Sequence, residues 1–315
     1  MSEQAAPVEL DAQYRAMREQ AALVRRSPPF VIEVTGSEAA DFLQGQLTND
    51  VESLQPGQGL YAALLDRKGH IQGDARVLAG EDGALTLIAE PEAGPALLRH
   101  LSMYKVGRDV EVAEAGESAL LSLIGPRSAE LAGAEALVDE HDHAEVPLAG
   151  QTPMAIRTNA GVDLLAAAAH VAGALLDAGA EEATEEAAEI LRVEAGRPRF
   201  GREISAATMP AEAGIVERAV DFEKGCYIGQ EPVARLHYRG RPNRTLRGLR
   251  LDAPADTGAP LRLGDREVGR IGTACVSPAH GPIALAVVRR EAEPGARIEV
   301  EGAGGAEVTE LPFGE

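Results

Sequence analysis

Beyond Leu246 the chain is a succession of short apolar runs, 247–251, 261–263, 267–275, 283–288 and 297–300, punctuated throughout by Gly and Pro. Runs of that length between turn residues are strands, and strands without helices cover their edges by closing into a barrel or stacking as a sandwich. Residues 246–315 therefore predict a small antiparallel β-domain. What precedes them has another pattern. Residues 11–26 place Tyr14, Met17, Ala21 and Val24 at helical spacing and stop at Ser27-Pro28-Pro29. Residues 31–34 read as a strand, and Ser37 as the N-cap of a helix running through Phe42, Leu43 and Leu47. Residues 60–65 and 70–78 form a predicted β-hairpin around Asp66-Arg67-Lys68-Gly69, followed by a strand at 84–89, a helix at 92–104 and strands near Val110 and Leu121. The Glu- and Ala-rich stretch 178–189 reads as the solvated start of a helix, where acids suit the positive end of the dipole. Strands interleaved with helices through tight turns give an α+β fold rather than a doubly wound sheet. The expected division is an α+β region of two lobes over 1–245 and a β-barrel domain over 246–315.

Charge and cysteine usage narrow the function. Thirty basic against fifty acidic residues leave a net charge of −20, a surface that repels nucleic acid and anionic membrane unless a local basic patch overrides it. Aromatics are only 3% of the chain and Trp is absent, so the core has to be built from Ala, Val, Leu and Ile. The longest apolar run, 164–176, is interrupted by His170 and falls short of a membrane span. No apolar signal core opens the sequence, and a cytoplasmic location is the expectation. The two cysteines, Cys226 and Cys275, allow at most one disulfide, and a private Fe–S cluster normally takes four thiolates.

Four features carry candidate chemistry. After Thr184 a helix puts Ala187, Ile190, Leu191 and Glu194 on one face. A carboxylate on an apolar stripe is costly unless something donates hydrogen bonds to it; the plainer reading is a helix-end Glu, partly solvated or paired with Arg197 or Arg202. In the second hairpin strand His70, Gln72, Asp74 and Arg76 alternate with Ile71, Gly73, Ala75 and Val77, which by alternation alone is a solvent face over a buried one. Against that, a polar face lining a cavity would let Asp74 and His70 bind or protonate a ligand. The octet Lys224-Gly225-Cys226-Tyr227-Ile228-Gly229-Gln230-Glu231 sets a Cys between two glycines with a cation close by, which favours thiolate; an inert buried Cys is the competing reading. Finally, Arg235, Arg239, Arg241, Arg244, Arg247 and Arg250 fall in a stretch without acids, suited either to anions or to ion pairs with the acidic surface.

Four blocks in order, Phe42-Leu43-Gln44-Gly45-Gln46-Leu47-Thr48-Asn49-Asp50-Val51, the hairpin Leu65-Asp66 with Lys68-Gly69, Leu191-Arg192-Val193-Glu194-Ala195-Gly196-Arg197-Pro198, and the octet around Cys226, resemble the YgfZ-type folate-binding branch of the glycine-cleavage T-protein (aminomethyltransferase) superfamily. The resemblance implies a three-part ring-like fold with a C-terminal antiparallel barrel and tetrahydrofolate or a derivative in a central channel. It further implies a role in maturation or repair of Fe–S enzymes, including tRNA-modifying ones, with those enzymes or cluster-assembly proteins as partners. Glu194 inherits the grip on the pterin, Asp74 the carboxylate that faces the reacting folate nitrogens, and Cys226 the reactive thiol. With folate as ligand, Arg192, Lys224 and Arg235 join as binding candidates, the polyglutamate tail being a sufficient anionic partner. No stable nucleic-acid or membrane binding and no resident metal is expected. Two positions depart from the transferases: Gly73 stands where they carry the first of two adjacent Asp, and Thr86 where they carry an aromatic. A one-carbon transferase of the glycine-cleavage type is the alternative function.

Overall fold

The computed structural model describes residues 7–116, 118–167 and 169–314. Two compact units share the chain, the first formed by Met1–Ala62 with Gly73–Ala188 and the second by Ala63–Gln72 with Glu189–Glu315. In chain order the elements leading to the second half are α1 (Pro7–Glu19), β1 (Ala22–Arg26), β2 (Phe30–Thr35), α2 (Ala39–Gln44), β3 (Gly59–Leu65), β4 (Ile71–Ala79), β5 (Leu85–Ala89), α3 (Gly94–Tyr104), β6 (Glu111–Glu114) and β7 (Leu120–Ile124). They continue with α4 (Ser128–Ala132), β8 (His143–Glu145), β9 (Met154–Arg157), β10 (Gly161–Leu165), α5 (Ala169–Asp177), β11 (Glu181–Ala183) and α6 (Glu185–Glu194).

The first unit is built on two sheets. One has the strand order β11-β1-β7-β10-β9-β8, the other β3-β4-β5-β2-β6. Val31, Leu78 and Ile88 from the five-stranded sheet pack with Leu120, Ile156 and Leu165 from the six-stranded one. Leu23, Leu123, Val162 and Leu164 bury against Val171, Ala172 and Leu175 of α5. Here the expected first helix is corrected. It ends at Glu19, and Ala22–Arg26 is a strand between β7 and β11. Leu23 and Val24 are both fully buried because a central strand has core on both faces, and that double burial imitates helical spacing in the sequence. Ser37 is not the cap of α2: its hydroxyl donates to Asp109 at 2.6 Å, and the residue before the helix is Glu38, while Leu47 lies buried beyond the helix end. Glu181–Ala183, expected as helix, pairs in parallel with β1, its Glu182 ion-paired to Arg25. The helix starts after it, where Thr184 Oγ1 accepts the Ala187 N–H at 3.2 Å.

The polar side of β4 is likewise not a solvent face. Asp74 is buried, and Arg76 reaches Asp163 on β10 at 2.6 Å. Ser122 donates to the other Asp163 oxygen at 2.6 Å and accepts from Arg26 Nε at 3.0 Å, so one carboxylate ties β4, β7 and β10 together.

The second unit adds α7 (Pro210–Ala213), α8 (Val216–Ala219), α9 (Gln230–Arg239) and the strands β12 (Arg244–Leu251), β13 (Pro260–Leu263), β14 (Arg266–Ser277), β15 (Gly281–Arg289), β16 (Arg297–Val300) and β17 (Gly304–Thr309). These strands form a closed antiparallel barrel in the order β12-β15-β14-β13-β16-β17. Its interior is Leu249, Leu261, Val268, Ile271, Ala286, Val288, Ile298 and Val308, aromatic-free as the composition required. The mixed α+β fold with a C-terminal barrel is therefore as read. The sixth strand, β17, went unread because only Ala306 and Val308 of Gly304–Thr309 point inward.

Removing Asp163 takes the ion-pair partner from half-buried Arg76 and the acceptor from the Ser122 hydroxyl, and breaking a largely desolvated pair is destabilising. Asp163→Ala should lower unfolding free energy by roughly 2–4 kcal/mol, and Arg76→Met with Asp163→Leu should recover most of it. Urea denaturation followed by circular dichroism checks this; a double variant as unstable as the single one would contradict it.

Candidate functional site

The strongest concentration of buried charge lies where α6 meets the barrel, within the second unit. Arg192 has all five of its N–H groups engaged: Nε and Nη2 with Glu189, Nη1 with the Arg197 carbonyl at 2.6 Å and Glu203 at 3.1 Å, and Nη2 also with Thr273 Oγ1 at 2.8 Å. It is a pin between helix and barrel, with no N–H left to offer a ligand. Glu194, two residues on, is 7% exposed, and its Oε1 accepts the Ser277 hydroxyl at 2.5 Å. The neighbouring Val193 packs with Leu246, Ile283, Leu285 and Phe313, and the Phe313 N–H bonds the Glu194 carbonyl at 2.9 Å. Glu194 is the last residue of α6, so its carboxylate sits at the negative end of the helix dipole as well as in a buried environment.

Cys275 lies between Thr273 and Ser277 on the same face of β14, packed against the Val193 cluster. Burial, followed by the charge of Glu194, pushes its thiol up to about 12. It remains a thiol throughout the neutral range.

In the first unit, Asp74 is 6% exposed and accepts a short hydrogen bond from the Tyr61 hydroxyl. Tyr61 is itself placed by the Gln44–Asp50 block: Asn49 Nδ2 donates to the Tyr61 carbonyl at 2.9 Å, and Gln44 holds Asp50 at 2.7 Å and the Val51 N–H at 2.8 Å. The residue before Asp74 shows why a second carboxylate is absent. A Cβ on Gly73 would lie 2.9 Å from Leu97 Cγ and 3.4 Å from the Ala93 carbonyl, so α3 occupies the space an Asp would need. Thr86 is half-buried on β5 opposite Leu78.

The octet forms the loop into α9. Asp221 accepts the N–H groups of Glu223 at 2.7 Å and Lys224 at 2.9 Å, which turns the chain. Gly229 closes the loop at φ +83°, where a Cβ would lie 2.4 Å from the Asp66 carbonyl at the hairpin tip. Phe222 stacks on His237 near the end of α9, with centroids 4.0 Å apart, so the loop doubles back along the helix. Cys226 is exposed within it. Lys224 Nζ stands 5.3 Å from the centroid of the Tyr227 ring. Tyr227 is buried, its hydroxyl has no hydrogen-bond partner among the described residues, and burial and Asp221 push it up to about 12. The arginine run divides. Arg244 pairs with Glu212 at 2.9 Å, Arg247 with Glu310 at 2.8 Å, and Arg250 lies over Phe313. Arg235, Arg239 and Arg241 are exposed.

The structure thus groups Glu194 with Arg192 in one cluster, Cys226 with Lys224 in the loop beside α9, which carries Arg235, and Asp74 with Tyr61 in the other unit. Tyr61 and Ser277 are the contributors that sequence reasoning missed. Among the described residues no three His, Cys, Asp or Glu side chains converge as a metal site, and no helix is long and apolar enough to cross a membrane.

Residues 3–162 match the GCVT N-terminal domain and residues 244–314 the glycine cleavage T-protein C-terminal barrel domain. An aminomethyltransferase of Streptomyces coelicolor is 30% identical over 95% of this chain and 87% of its own length. The tRNA-modifying protein YgfZ of Yersinia enterocolitica is 30% identical over 69% of this chain and 67% of its own length. The crystal structure of glycine cleavage system aminomethyltransferase T from Bartonella henselae superposes with a TM-score of 0.86 at 25% identity, over 99% of this chain and 91% of that one.

The two thiols should differ sharply in reactivity. Alkylation of the folded protein at neutral pH should label exposed Cys226 far faster than Cys275, as read by mass spectrometry of the peptides. Since Cys275 and Tyr227 both ionise only near 12 when folded, the unfolded chain loses these protons first as pH rises. Their contribution to stability, full below the ordinary Cys value of 9.0, should fade between about 9 and about 12. Equal labelling of the two cysteines would contradict the placement of Cys275.

Proposed function

The chain belongs to the glycine-cleavage T-protein family, and on that premise we propose that it binds tetrahydrofolate or a derivative through Glu194 and acts as a YgfZ-type accessory protein for Fe–S enzymes, with Cys226 as its reactive thiol. The observation that carries the reading is the place of the Glu194 carboxylate: buried at the C-terminal end of α6, where the helix meets the barrel, with the Ser277 hydroxyl donating to Oε1. A pterin edge offers two parallel N–H donors, which a carboxylate can accept together. Beside it Val193, Ile283 and Phe313 form a buried apolar cluster that fixes the end of α6 against the barrel. Bound tetrahydrofolate would supply nitrogens that carry a one-carbon unit. In the first unit, Asp74, oriented by Tyr61, is proposed by itself as a carboxylate for folate chemistry, the role the family resemblance gives it.

Cys226 carries the proposed branch chemistry. It is exposed on a loop shaped by Asp221 and Gly229, the geometry of a thiol offered to a partner rather than packed away. Lys224 and Arg235 are the cations proposed to receive anionic groups, the folate tail among them; Arg192 is not carried forward, because its N–H groups are all engaged by the protein. The clients proposed are Fe–S enzymes, tRNA-modifying ones included.

Aminomethyl transfer is the second reading. It is favoured by relatives of that name spanning 95–96% of this chain, and opposed by Leu97 filling the place of one carboxylate beside Gly73.

Glu194→Ala should weaken tetrahydrofolate binding by roughly 1.5–3 kcal/mol in calorimetry, the scale of a hydrogen bond to a charged group. Cys226→Ser should leave that affinity nearly unchanged yet fail to support Fe–S enzyme activity in cells lacking the native protein. With glycine-cleavage H-protein carrying its aminomethyl arm, ammonia release should stay far below about 1 s⁻¹, an ordinary enzymatic rate. Full complementation by Cys226→Ser overturns the thiol role; turnover at that rate makes the transferase reading correct.

A further inference from the structure

We propose that Ser277 is a positioning residue for ligand recognition: its hydroxyl fixes the Glu194 carboxylate in the orientation that receives the pterin edge. The inference rests on the reading that Glu194 is the folate contact, and it assigns a determinant that lies on the barrel, far from Glu194 in sequence.

Ser277 ends β14 and is 2% exposed. Its Oγ accepts the N–H groups of Ala279 and His280, both at 3.0 Å, as the chain turns toward β15. A serine hydroxyl has two lone pairs and one hydrogen. With both lone pairs taken by backbone donors, the oxygen cannot rotate away, and the hydrogen has one direction left, toward Glu194 Oε1 at 2.5 Å. The donor is therefore oriented by the turn before any ligand arrives. Thr273, two alternations back on the same face of β14, accepts from Arg192 Nη2 at 2.8 Å. The last turn of α6 is thus fastened to one strand at two points, one on either side of Cys275. A glutamate side chain loses rotamer entropy on being fixed. Here the Ser277 bond fixes it in advance, which is the general route by which preorganisation raises affinity.

The test is a double-mutant cycle on tetrahydrofolate affinity, measured by calorimetry with the full chain. Ser277→Ala should weaken binding about tenfold, the scale of one charge-assisted hydrogen bond. In the Glu194→Ala background the same substitution should have no further effect, because the hydroxyl acts only through the carboxylate. Ser277→Cys, isosteric but a weak donor, keeps the turn filled and should weaken binding in the same direction by a smaller factor, so the test stands even where the alanine variant fails to fold. Wild-type affinity in the folded alanine variant or, where that variant fails to fold, in the cysteine variant, or the same loss in both backgrounds, overturns the positioning role and leaves the Glu194 reading intact. Unchanged affinity in Glu194→Ala alone overturns both.

Discussion

A carboxylate at the C-terminal end of a helix opposes the macrodipole, and burial adds a desolvation penalty to that opposition. Glu194 meets both conditions, and much of the second unit is arranged around keeping it there. Arg192 anchors the final turn of α6 to β14 through Thr273 and to Glu203 beneath it. Phe313 closes over the end of the helix with a hydrogen bond to the Glu194 carbonyl, and Arg250 lies over the Phe313 ring in turn. The helix end, the barrel strand and the C-terminal segment all converge on this one residue.

The same reasoning separates the two functions in view. Family membership brings the barrel, the hairpin and the helix that carries Glu194. It does not bring the second hairpin carboxylate, because Leu97 presses on Gly73 and Ala93 closes the remaining space. An Asp there would require the Leu97 side chain to shift, so the departure is matched by the packing around it. The octet adds what the transferase chemistry has no use for, an exposed thiol on a loop drawn back along α9 by the Phe222–His237 stack.

How much of this was legible in the sequence depended on whether the determining contacts were local. The barrel was readable because Gly and Pro mark its turns and its core needs only Ala, Val, Leu and Ile; β17 escaped because two inward residues make no pattern. The hairpin around Asp66–Gly69 was readable for the same local reason, with the Asp66 side chain accepting the Lys68 and His70 N–H groups at 2.8 and 2.9 Å. The helical reading of 11–26 failed at β1, where burial on both faces erased the period that separates strand from helix. Alternation in β4 suggested a wet face, yet Asp163, 87 residues from Arg76, makes it an interior. Glu194 stood out by its apolar stripe, whereas Ser277, 83 residues away, has no local mark at all. Tertiary partners of that kind come only from the folded chain.

The central claim is that the Glu194 carboxylate is the pterin contact. The most direct measurement is a crystal structure of the chain grown with tetrahydrofolate. The account predicts the pterin edge hydrogen-bonded to Glu194, with the Ser277 bond to Oε1 kept. A pterin ordered elsewhere, with Glu194 untouched by it, would contradict the account.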